Sequence, residues 1–364
     1  MNYLAAFTGV ILIWLSLWEG FETIILPRRV TRRFRLTRLF YRSTWVPWTS
    51  AVRHVASPQN RENYLSFFGP LSLLLLFGIW VGGIIFGFAL IHWATGTAFN
   101  TPEGTSGLFT CIYFSGTTFF TLGLGDIAPL TALPRVMTVM ESGMGFGFLA
   151  LVIGYLPALN QSFARREVKI SLLDARAGSP ATAAEMLRRH GRDQALEELR
   201  HLLHDWEYWA SELLESHLSY PVLAYFRSHH ENQSWLAALT AILDTCALVM
   251  VGLEGACERQ AELTFAMARH AVVDLSHVFH STLDRGGEDR LPPNRLTEMR
   301  QFLAEAGLRL RSDEDADERL ISLRSMYEPY VASLARHLRL TVPPWYIPGD
   351  HTDNWQTSGW EHAR

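Results

Sequence analysis

Residues 121–126 form a short motif, Thr-Leu-Gly-Leu-Gly-Asp, in which glycine occupies alternate positions. Glycine adopts positive φ angles readily, so the successive peptide carbonyls of such a segment can all point to one side. Four copies around an axis would stack rings of carbonyl oxygens that replace the hydration shell of a cation. The predicted chemistry lies in the backbone, with small residues at Gly123 and Gly125 and the Thr121 hydroxyl at the inner mouth.

The apolar stretches around this motif predict where it lies. Leu65–Trp93 precedes it and Leu133–Leu159 follows it, and each reaches the roughly 20 residues that a membrane-spanning helix needs. Ser106–Phe120 is apolar but too short to cross, which predicts a re-entrant helix whose non-helical continuation is hidden in protein or in a water-filled pore. Because each chain has one such loop, a closed ring requires four chains, and we expect a homotetramer.

The pattern Thr118-x-x-Thr121-x-Gly123-x-Gly125-Asp126 resembles the signature of potassium channel pore loops, whose commonest version reads TVGYGD. The leucine after Thr121 is similar to the later pore loop of some two-pore-domain potassium channels. The resemblance covers roughly residues 65–160. It implies a channel module over 64–160 with K⁺ ions, and no other cofactor, held in a filter of Thr121, Leu122, Gly123, Leu124, Gly125 and Asp126.

Other positions of the family pattern give further expectations. Pro129 and Arg135 fall at family spacings beyond the filter, and Gly145 aligns with the hinge glycine of the inner helix. The usual Trp-Trp pair of the pore helix is here Tyr113-Phe114, and Leu124 lacks the hydroxyl with which a tyrosine braces the filter. The expected supporting residues are Tyr113, Phe114, Thr117 and Thr118. Asp126 is expected to brace the filter by a hydrogen bond, to concentrate cations at the mouth, or both.

The inner helix carries two features with more than one interpretation. Gly143, Gly145 and Gly147 could form a hinge for gating, and close helix packing explains them equally well. Glu141 is an ionisable group at membrane depth and is therefore a functional candidate, for which we expect a buried hydrogen bond that backs the pore helix.

The distribution of charge predicts the orientation in the membrane. Residues 28–61 hold nine arginines and no Asp or Glu, whereas residues 94–132 hold no Lys or Arg. The positive-inside rule then places 28–61 and everything after 160 in the cytoplasm, with the N-terminus outside. A retained first helix over residues 1–27 completes a three-span, multi-pass protein of a bacterial inner (plasma) membrane.

The arginine-rich run Arg28–Arg42 belongs to a basic cytoplasmic linker, residues 28–63. Its Arg29, Arg32, Arg35 and Arg38 repeat every third residue, as in voltage sensors. The run follows the apolar span instead of lying inside it, so an amphipathic helix on anionic lipid is favoured. Glu19 and Glu22 in the first helix are expected to face neighbouring helices and to pair with Arg28 or Arg29.

The remainder of the chain predicts an all-helical cytoplasmic domain over 161–340 and a Pro- and Trp-containing tail over 341–364. Helical spacing of apolar residues continues from Gln194 and covers about 233–254, 257–283, 294–309 and 315–340. Within it, Trp235–Leu253 is apolar enough to span a membrane, but its central Asp244 favours a buried core helix. Ser179 and Pro180 are expected to begin a helix as N-cap and first residue. The fold class is therefore an all-α membrane protein.

Nothing in this half identifies a gating ligand. His270, Asp274 and His277 share one helix face and are weak candidates for a metal site, although exposed histidines are commoner. The net charge of −4 gives no reason to expect nucleic acid. Three functions remain open: a potassium-selective or less selective monovalent cation channel, gated by the inner helix and the helical domain; a non-conducting membrane-anchored sensor; and a metal-dependent enzyme, for which no nucleophile–base arrangement is evident.

Overall fold

A computed structural model describes residues 2–26, 36–101, 107–190, 195–229, 233–253, 257–279, 289–349 and 352–356. The chain divides into two units, Met1–Asn160 and Gln161–Arg364. Most of the arginine-rich run, including Arg28, Arg29, Arg32, Arg33 and Arg35, lies outside the described residues, and so do the pairings expected of Arg28 and Arg29 with Glu19 and Glu22.

The first unit begins with two helices that pack through glycine. Helix α1 (Tyr3–Gly20) continues as a π-helical turn, Phe21–Ile25, and packs along α3 (Pro58–Thr95). A Cβ atom added at Gly87 would lie 2.8 Å from the Gly9 carbonyl oxygen, and one at Gly83 would lie 2.4 Å from Ser16 Oγ. The two backbones therefore approach too closely for side chains at these positions, as in other membrane helix pairs with small interface residues.

Glu19 attaches the second helix, α2 (Leu36–Val52), to the first. Its carboxylate accepts hydrogen bonds from the backbone N–H groups of Leu36 and Thr37, at 3.1 Å each, and from Thr37 Oγ1 at 2.6 Å. The first N–H groups of a helix lack partners within the helix, and a negative charge there is favourable. Glu19, although buried in an apolar helix, thus faces a neighbouring helix as expected.

The pore region lies between two long helices, α3 and α5 (Ala132–Ala177). At 1.5 Å per residue their 38 and 46 residues extend about 57 and about 69 Å, more than the ~30 Å hydrocarbon core of a bilayer. Between them lie β1 (Phe99–Asn100), α4 (Leu108–Phe119) and β2 (Ala128–Pro129). The two short strands pair antiparallel, with Phe99 opposite Pro129, and join the chain before α4 to the chain after the filter motif.

The second unit is helical throughout its described elements. They are α6 (Ala183–His190), α7 (Ala195–Ser219), a 3₁₀ turn at Pro221–Tyr225, α8 (Trp235–Gly252), α9 (Glu258–Val278), α10 (Pro293–Glu305), α11 (Glu314–Ser325), α12 (Glu328–Leu338) and a 3₁₀ turn at Asn354–Gln356. Helix α8 is central, because α6, α9, α11 and α12 all pack against it.

Four helices of the described chain are long and apolar enough to cross a membrane: Tyr3–Ile25, Gln59–Thr95, Ala132–Ala177 and Trp235–Gly252. The last of these, α8, differs from the others because almost its whole length is buried inside the second unit. The central Asp244 of α8 forms an ion pair with Arg290, with Oδ2 and Nη2 2.6 Å apart, and accepts a hydrogen bond from the Tyr327 hydroxyl. This arrangement is that of a buried core helix.

Two predicted helix boundaries in this unit are wrong. The pattern over 315–340 is two helices, because Tyr327 leaves the helical conformation and Pro329 lies in the first turn of α12, where its missing N–H costs nothing. Helix α6 begins at Ala183 instead of Pro180, because a turn follows Gly178, which ends α5 with φ +86°. Thr182 Oγ1 accepts a hydrogen bond from the new helix, at the N–H of Glu185.

The tail that follows α12 is fastened to the second unit through Trp345. Its indole is 1% exposed and donates to Glu328 Oε1 at 3.4 Å, and the Arg290 guanidinium lies over its ring. Arg290 also donates to the Pro343 carbonyl at 2.8 Å. The same arginine therefore neutralises Asp244 in the core and holds the chain that passes over it.

Candidate ion-conduction site

The filter motif leaves the end of α4 in a conformation that alternates from residue to residue. The N–H of Thr121 donates to the Thr118 carbonyl at 3.0 Å, and the N–H of Leu122 donates to the Thr117 carbonyl at 2.8 Å. From there φ is positive at every second residue: +55° at Thr121, +57° at Gly123 and +77° at Gly125. In a strand, successive peptides alternate in direction, whereas an alternating sign of φ can bring successive carbonyls to one side.

Within this motif the glycines are required by the backbone. A Cβ atom added at Gly123 or Gly125 would meet nothing within 4 Å, so space in the single chain does not select glycine there. The positive φ angle selects glycine, because at positive φ a Cβ atom approaches the following carbonyl oxygen. Leu122 and Leu124, between the glycines, are 61% and 62% exposed in the single chain.

Tyr113 and Asp126 connect the pore helix to the outer end of the motif. The Tyr113 hydroxyl donates to Asp126 Oδ2 at 2.9 Å, so the carboxylate has the bracing hydrogen bond that the sequence leads us to expect. Arg135 Nε donates to the Pro129 carbonyl at 3.0 Å and fixes the chain as it enters α5. The sequence did not identify Tyr113 as the partner of Asp126, because the two are thirteen residues apart with a helix end and the motif between them.

The other pore-helix residues divide between packing and backbone contacts. Phe114 is buried against the rings of His92 and Phe99, with centroid distances of 5.4 and 4.8 Å. Thr117 and Thr118 supply the two carbonyls that accept from the start of the filter motif. Aromatic packing therefore positions α4 at Phe114, and backbone hydrogen bonds from the filter motif position its C-terminal end.

Gly145 brings α5 against the end of α4. A Cβ atom at Gly145 would lie 2.0 Å from the Phe119 carbonyl oxygen, whereas one at Gly143 or Gly147 would meet nothing within 4 Å. Helix α5 is unbroken through all three glycines. Close packing is thus a definite role for Gly145, and hinge motion stays a prediction for the three positions.

Glu141, one turn before Gly145, is fully buried in the single chain. Its Oε1 is hydrogen-bonded to Ser115 Oγ of α4, and Ser115 Oγ also lies 2.8 Å from the Ile85 carbonyl oxygen of α3. Sequence analysis did not identify Ser115. A small hydroxyl residue inside an apolar helix is the signal that could have indicated it.

The histidine face of α9 does not gather further metal ligands. His270 Nε2 lies 3.5 Å from Asp274 Oδ2, and the His277 ring packs on Tyr330. Within the described parts of the chain, no group of three or more His, Cys, Asp or Glu side chains is placed to hold a metal ion.

Comparison with known proteins assigns the first unit to a class. Residues 74–161 match the family model described as an ion channel, which covers α3 from Leu74 onwards, α4, the filter motif and α5 as far as Gln161. The chain is thus a membrane protein with an ion channel module. This match and the similarity of the pore-loop motif support a relation of the first unit to the potassium channel pore-loop family.

Two curated proteins are similar to the chain. The uncharacterized membrane protein YdjJ of Bacillus subtilis (strain 168) is 25% identical over 246 residues, which cover 65% of this chain and 69% of that protein. Two-pore potassium channel 2 of Arabidopsis thaliana is 23% identical over 132 residues, 35% of this chain and 28% of that protein. No solved structure matches the chain. Since the first unit has only 160 of the 364 residues, the similarity to YdjJ must extend into the second unit.

Proposed function

We propose that four copies of the chain form a channel that conducts K⁺ passively across a membrane, without enzymatic activity. The filter is the segment Thr121, Leu122, Gly123, Leu124, Gly125 and Asp126. The observation that carries the proposal is the positive φ at Thr121, Gly123 and Gly125 in the loop of an ion channel module. Four such loops would present stacked carbonyl oxygens to a dehydrated cation.

The exposure of apolar residues in the single chain supports the tetramer. Leu122 and Leu124 are exposed although they are apolar, and α5 has an exposed face opposite its buried one. That face contains Val139, Phe146 and Ile153, at helical spacing. Three further copies would cover the loops and enclose a cavity between the α5 helices. In the proposed channel the α5 helices bend to open and close the pore. The second unit biases that bending through a ligand still to be identified.

A second candidate function differs from the first in its selectivity for K⁺ over other monovalent cations. Leu124 has no hydroxyl with which to brace the filter, so Tyr113 and Asp126 supply the described side-chain hydrogen bond at its outer end. A filter held less firmly would admit other monovalent cations. A less selective monovalent cation channel is therefore the second candidate.

The membrane setting follows from the charge distribution. We place the N-terminus and the segment 94–132 outside the plasma membrane, and the second unit in the cytoplasm. The arginine-rich run Arg28–Arg42 then lies at the inner leaflet, where anionic lipid attracts it.

Potassium flux from vesicles containing the purified protein tests conduction. We expect K⁺ efflux from the native protein and background efflux from Gly123→Asp, which places a side chain and a charge inside the filter. Native efflux that never exceeds that of Gly123→Asp, under any stimulus tried, would leave the non-conducting sensor as the better description. Native mass spectrometry of both proteins measures the number of subunits, and reversal potentials with K⁺ and Na⁺ on opposite sides separate the two selectivities.

A further inference from the structure

Glu141 lies where three helices of the first unit meet. Its side chain extends from α5 and is 0% exposed even in the single chain, so it does not belong to the exposed face of α5. Oε1 reaches Ser115 Oγ of α4, which in turn lies 2.8 Å from the Ile85 carbonyl oxygen of α3. Among the described residues, Oε2 has no hydrogen-bond partner.

The number of hydrogen atoms available to these two contacts indicates the protonation state of Glu141. Ser115 Oγ faces two acceptors, the Ile85 carbonyl and the Glu141 carboxyl, but a hydroxyl has a single hydrogen to donate. If Ser115 donates to Ile85, then the contact with Glu141 is a hydrogen bond only when the carboxyl itself carries a proton. Each contact has a hydrogen of its own only when a protonated Glu141 donates to Ser115 and Ser115 donates to Ile85.

The distribution of charge supports the same conclusion. Between Arg61 and Arg165 the sequence contains one basic residue other than His92, namely Arg135, which is exposed and donates to Pro129. An ionised Glu141 would be a buried carboxylate without a cation and with a single hydrogen bond. Burial of such a charge is unfavourable, and protonation avoids that cost.

We infer that Glu141 carries a proton in the conducting protein and is a positioning residue that holds the pore helix α4 between α3 and α5. The inference rests on the proposed function for its flux measurement. Loss of the proton would place a charge where no cation is available, and Ser115 would then donate its one hydrogen to the carboxylate instead of to the Ile85 carbonyl. The pore helix α4, which ends at the start of the filter, would then lose one of its attachments to α3.

Few titratable groups lie close to Glu141 along the chain of the elements packed against it. Helix α4 carries Cys111 and Tyr113, of which Tyr113 is bonded to Asp126, and α3 carries His92, whose Nδ1 lies 3.1 Å from Thr97 Oγ1. Helix α5 itself carries Arg135 at its outer end and Tyr155 beyond Glu141, and its other charged residues, from Arg165 to Arg176, follow more than 20 residues after Glu141. At the start of α3, Arg61, Glu62 and Tyr64 precede Ile85 by more than 20 residues. The alkaline titration of Cys111 or of a tyrosine such as Tyr113 could imitate that of Glu141, so the variants must separate these groups.

Potassium flux as a function of pH, measured for the native protein, Glu141→Gln and Glu141→Ala, tests the inference. Glutamine can donate its amide hydrogen to Ser115 without titrating. We expect Glu141→Gln to conduct like the native protein at neutral pH and to keep that flux at alkaline pH. The native flux should fall about tenfold per pH unit above its midpoint, because the protonated fraction does so. Glu141→Ala should conduct less at every pH.

Other outcomes would overturn the inference. An alkaline decline that persists in Glu141→Gln belongs to Tyr113 or to another group, and a native flux independent of pH means that the proton of Glu141 is not needed. Infrared spectra of native protein with isotope-labelled glutamate carboxyl groups give a readout without flux: we expect a labelled carboxylic acid band at neutral pH that Glu141→Gln lacks. A native protein that shows this band but passes no K⁺ contradicts the proposed function alone; absence of the band contradicts the inference alone.

Discussion

The sign of one backbone dihedral at three residues distinguishes the filter motif from an ordinary loop. Gly123 and Gly125 adopt the positive φ that glycine allows, and Thr121 adopts it at a steric cost. Thr121 therefore needs the surrounding structure to hold it, and its N–H is bonded to Thr118. Strain held in this way is found where function requires a specific backbone geometry.

Alanine at Gly123 tests whether the dihedral, and not the side-chain space, is essential. The added Cβ costs about 1–2 kcal/mol per subunit at this φ, so the loop should relax and K⁺ flux should be lost while the subunits still assemble. Gly116→Ala is the matched control, because Gly116 lies within α4 and its Cβ would also meet nothing within 4 Å. Comparable flux in the two variants would show that positive φ at Gly123 is dispensable.

Removing one hydroxyl tests the brace at the outer end. Tyr113→Phe deletes the hydrogen bond to Asp126, whose net contribution is about 0.5–1.5 kcal/mol, and leaves the ring in place. We expect assembly to be retained and the preference for K⁺ over Na⁺, measured from reversal potentials, to fall. An unchanged reversal potential would mean that the filter is braced elsewhere.

Sequence reasoning at this scale succeeded where the signal is local. Alternate glycines predict positive φ directly, and φ is positive at both. The pairs Tyr113–Asp126 and Ser115–Glu141 join residues 13 and 26 positions apart and depend on how α4 packs, for which the sequence carries no periodic signal. Glu19 is likewise expected from the sequence to face a neighbouring helix, but its role as a cap for the first N–H groups of α2 is visible only in the structure.

At the scale of elements, α4 is held from two sides. On the side of α3, the Phe114 ring of α4 contacts the His92 ring of α3, and Ser115 Oγ of α4 is hydrogen-bonded to the Ile85 carbonyl of α3. On α5 the close approach of Gly145 to Phe119 sets the distance between the two helices near the filter. A short helix attached in this way keeps its end, and the motif that follows it, in a fixed position.

Substitution of neighbouring glycines separates close packing from hinge motion in α5. A methyl group at Gly145 would lie 2.0 Å from the Phe119 carbonyl oxygen and must displace α4, whereas one at Gly143 meets nothing within 4 Å. We expect Gly145→Ala to lower the Tm and the K⁺ flux, and Gly143→Ala to leave the Tm unchanged. If flexibility is the main role, both variants should alter flux with little change in Tm.

Element boundaries were predicted less well than the elements themselves. The apolar spacing over 315–340 is nearly continuous, and only Pro329 indicates the break that the structure places before α12. At α6 the sequence predicts a start at Ser179 and Pro180, whereas the turn after Gly178 moves the start to Ala183, where Thr182 accepts from the N–H of Glu185. In both places a backbone conformation outweighs the periodicity of the side chains.

At the scale of the whole molecule, the compositional halves of the sequence correspond to two units with different interiors. The first exposes many apolar side chains, as expected of a surface that faces lipid or other subunits, whereas the second buries a central apolar helix with its charged residue neutralised. The similarity to YdjJ extends into the second unit. At least part of the helical unit is therefore similar to a segment of that membrane protein.

A buried histidine makes the stability of the second unit depend on pH. The His217 ring is fully buried; Nδ1–H donates to the Leu213 carbonyl at 2.8 Å, and Nε2 lies 3.4 Å from Arg166 Nη1, which donates to it. Burial, reinforced by the Arg166 charge, lowers the pKa of His217 from 6.5 to about 3. The folded protein thus holds a neutral imidazole that the unfolded chain would protonate below pH 6.5.

The contribution of the neutral His217 to the free energy of unfolding is therefore fully present above pH 6.5. It is lost as the pH falls from 6.5 towards about 3, because the unfolded state binds the extra proton. The slope reaches about 1.4 kcal/mol per pH unit. We expect His217→Gln to be less stable at neutral pH and to lose this part of the slope, in denaturant unfolding followed by tryptophan fluorescence. His270→Asn, at an exposed histidine, should keep the native slope. Equal slopes in His217→Gln and the native protein would place the acid sensitivity at other groups, such as His190 and His337, whose pKa values burial also lowers.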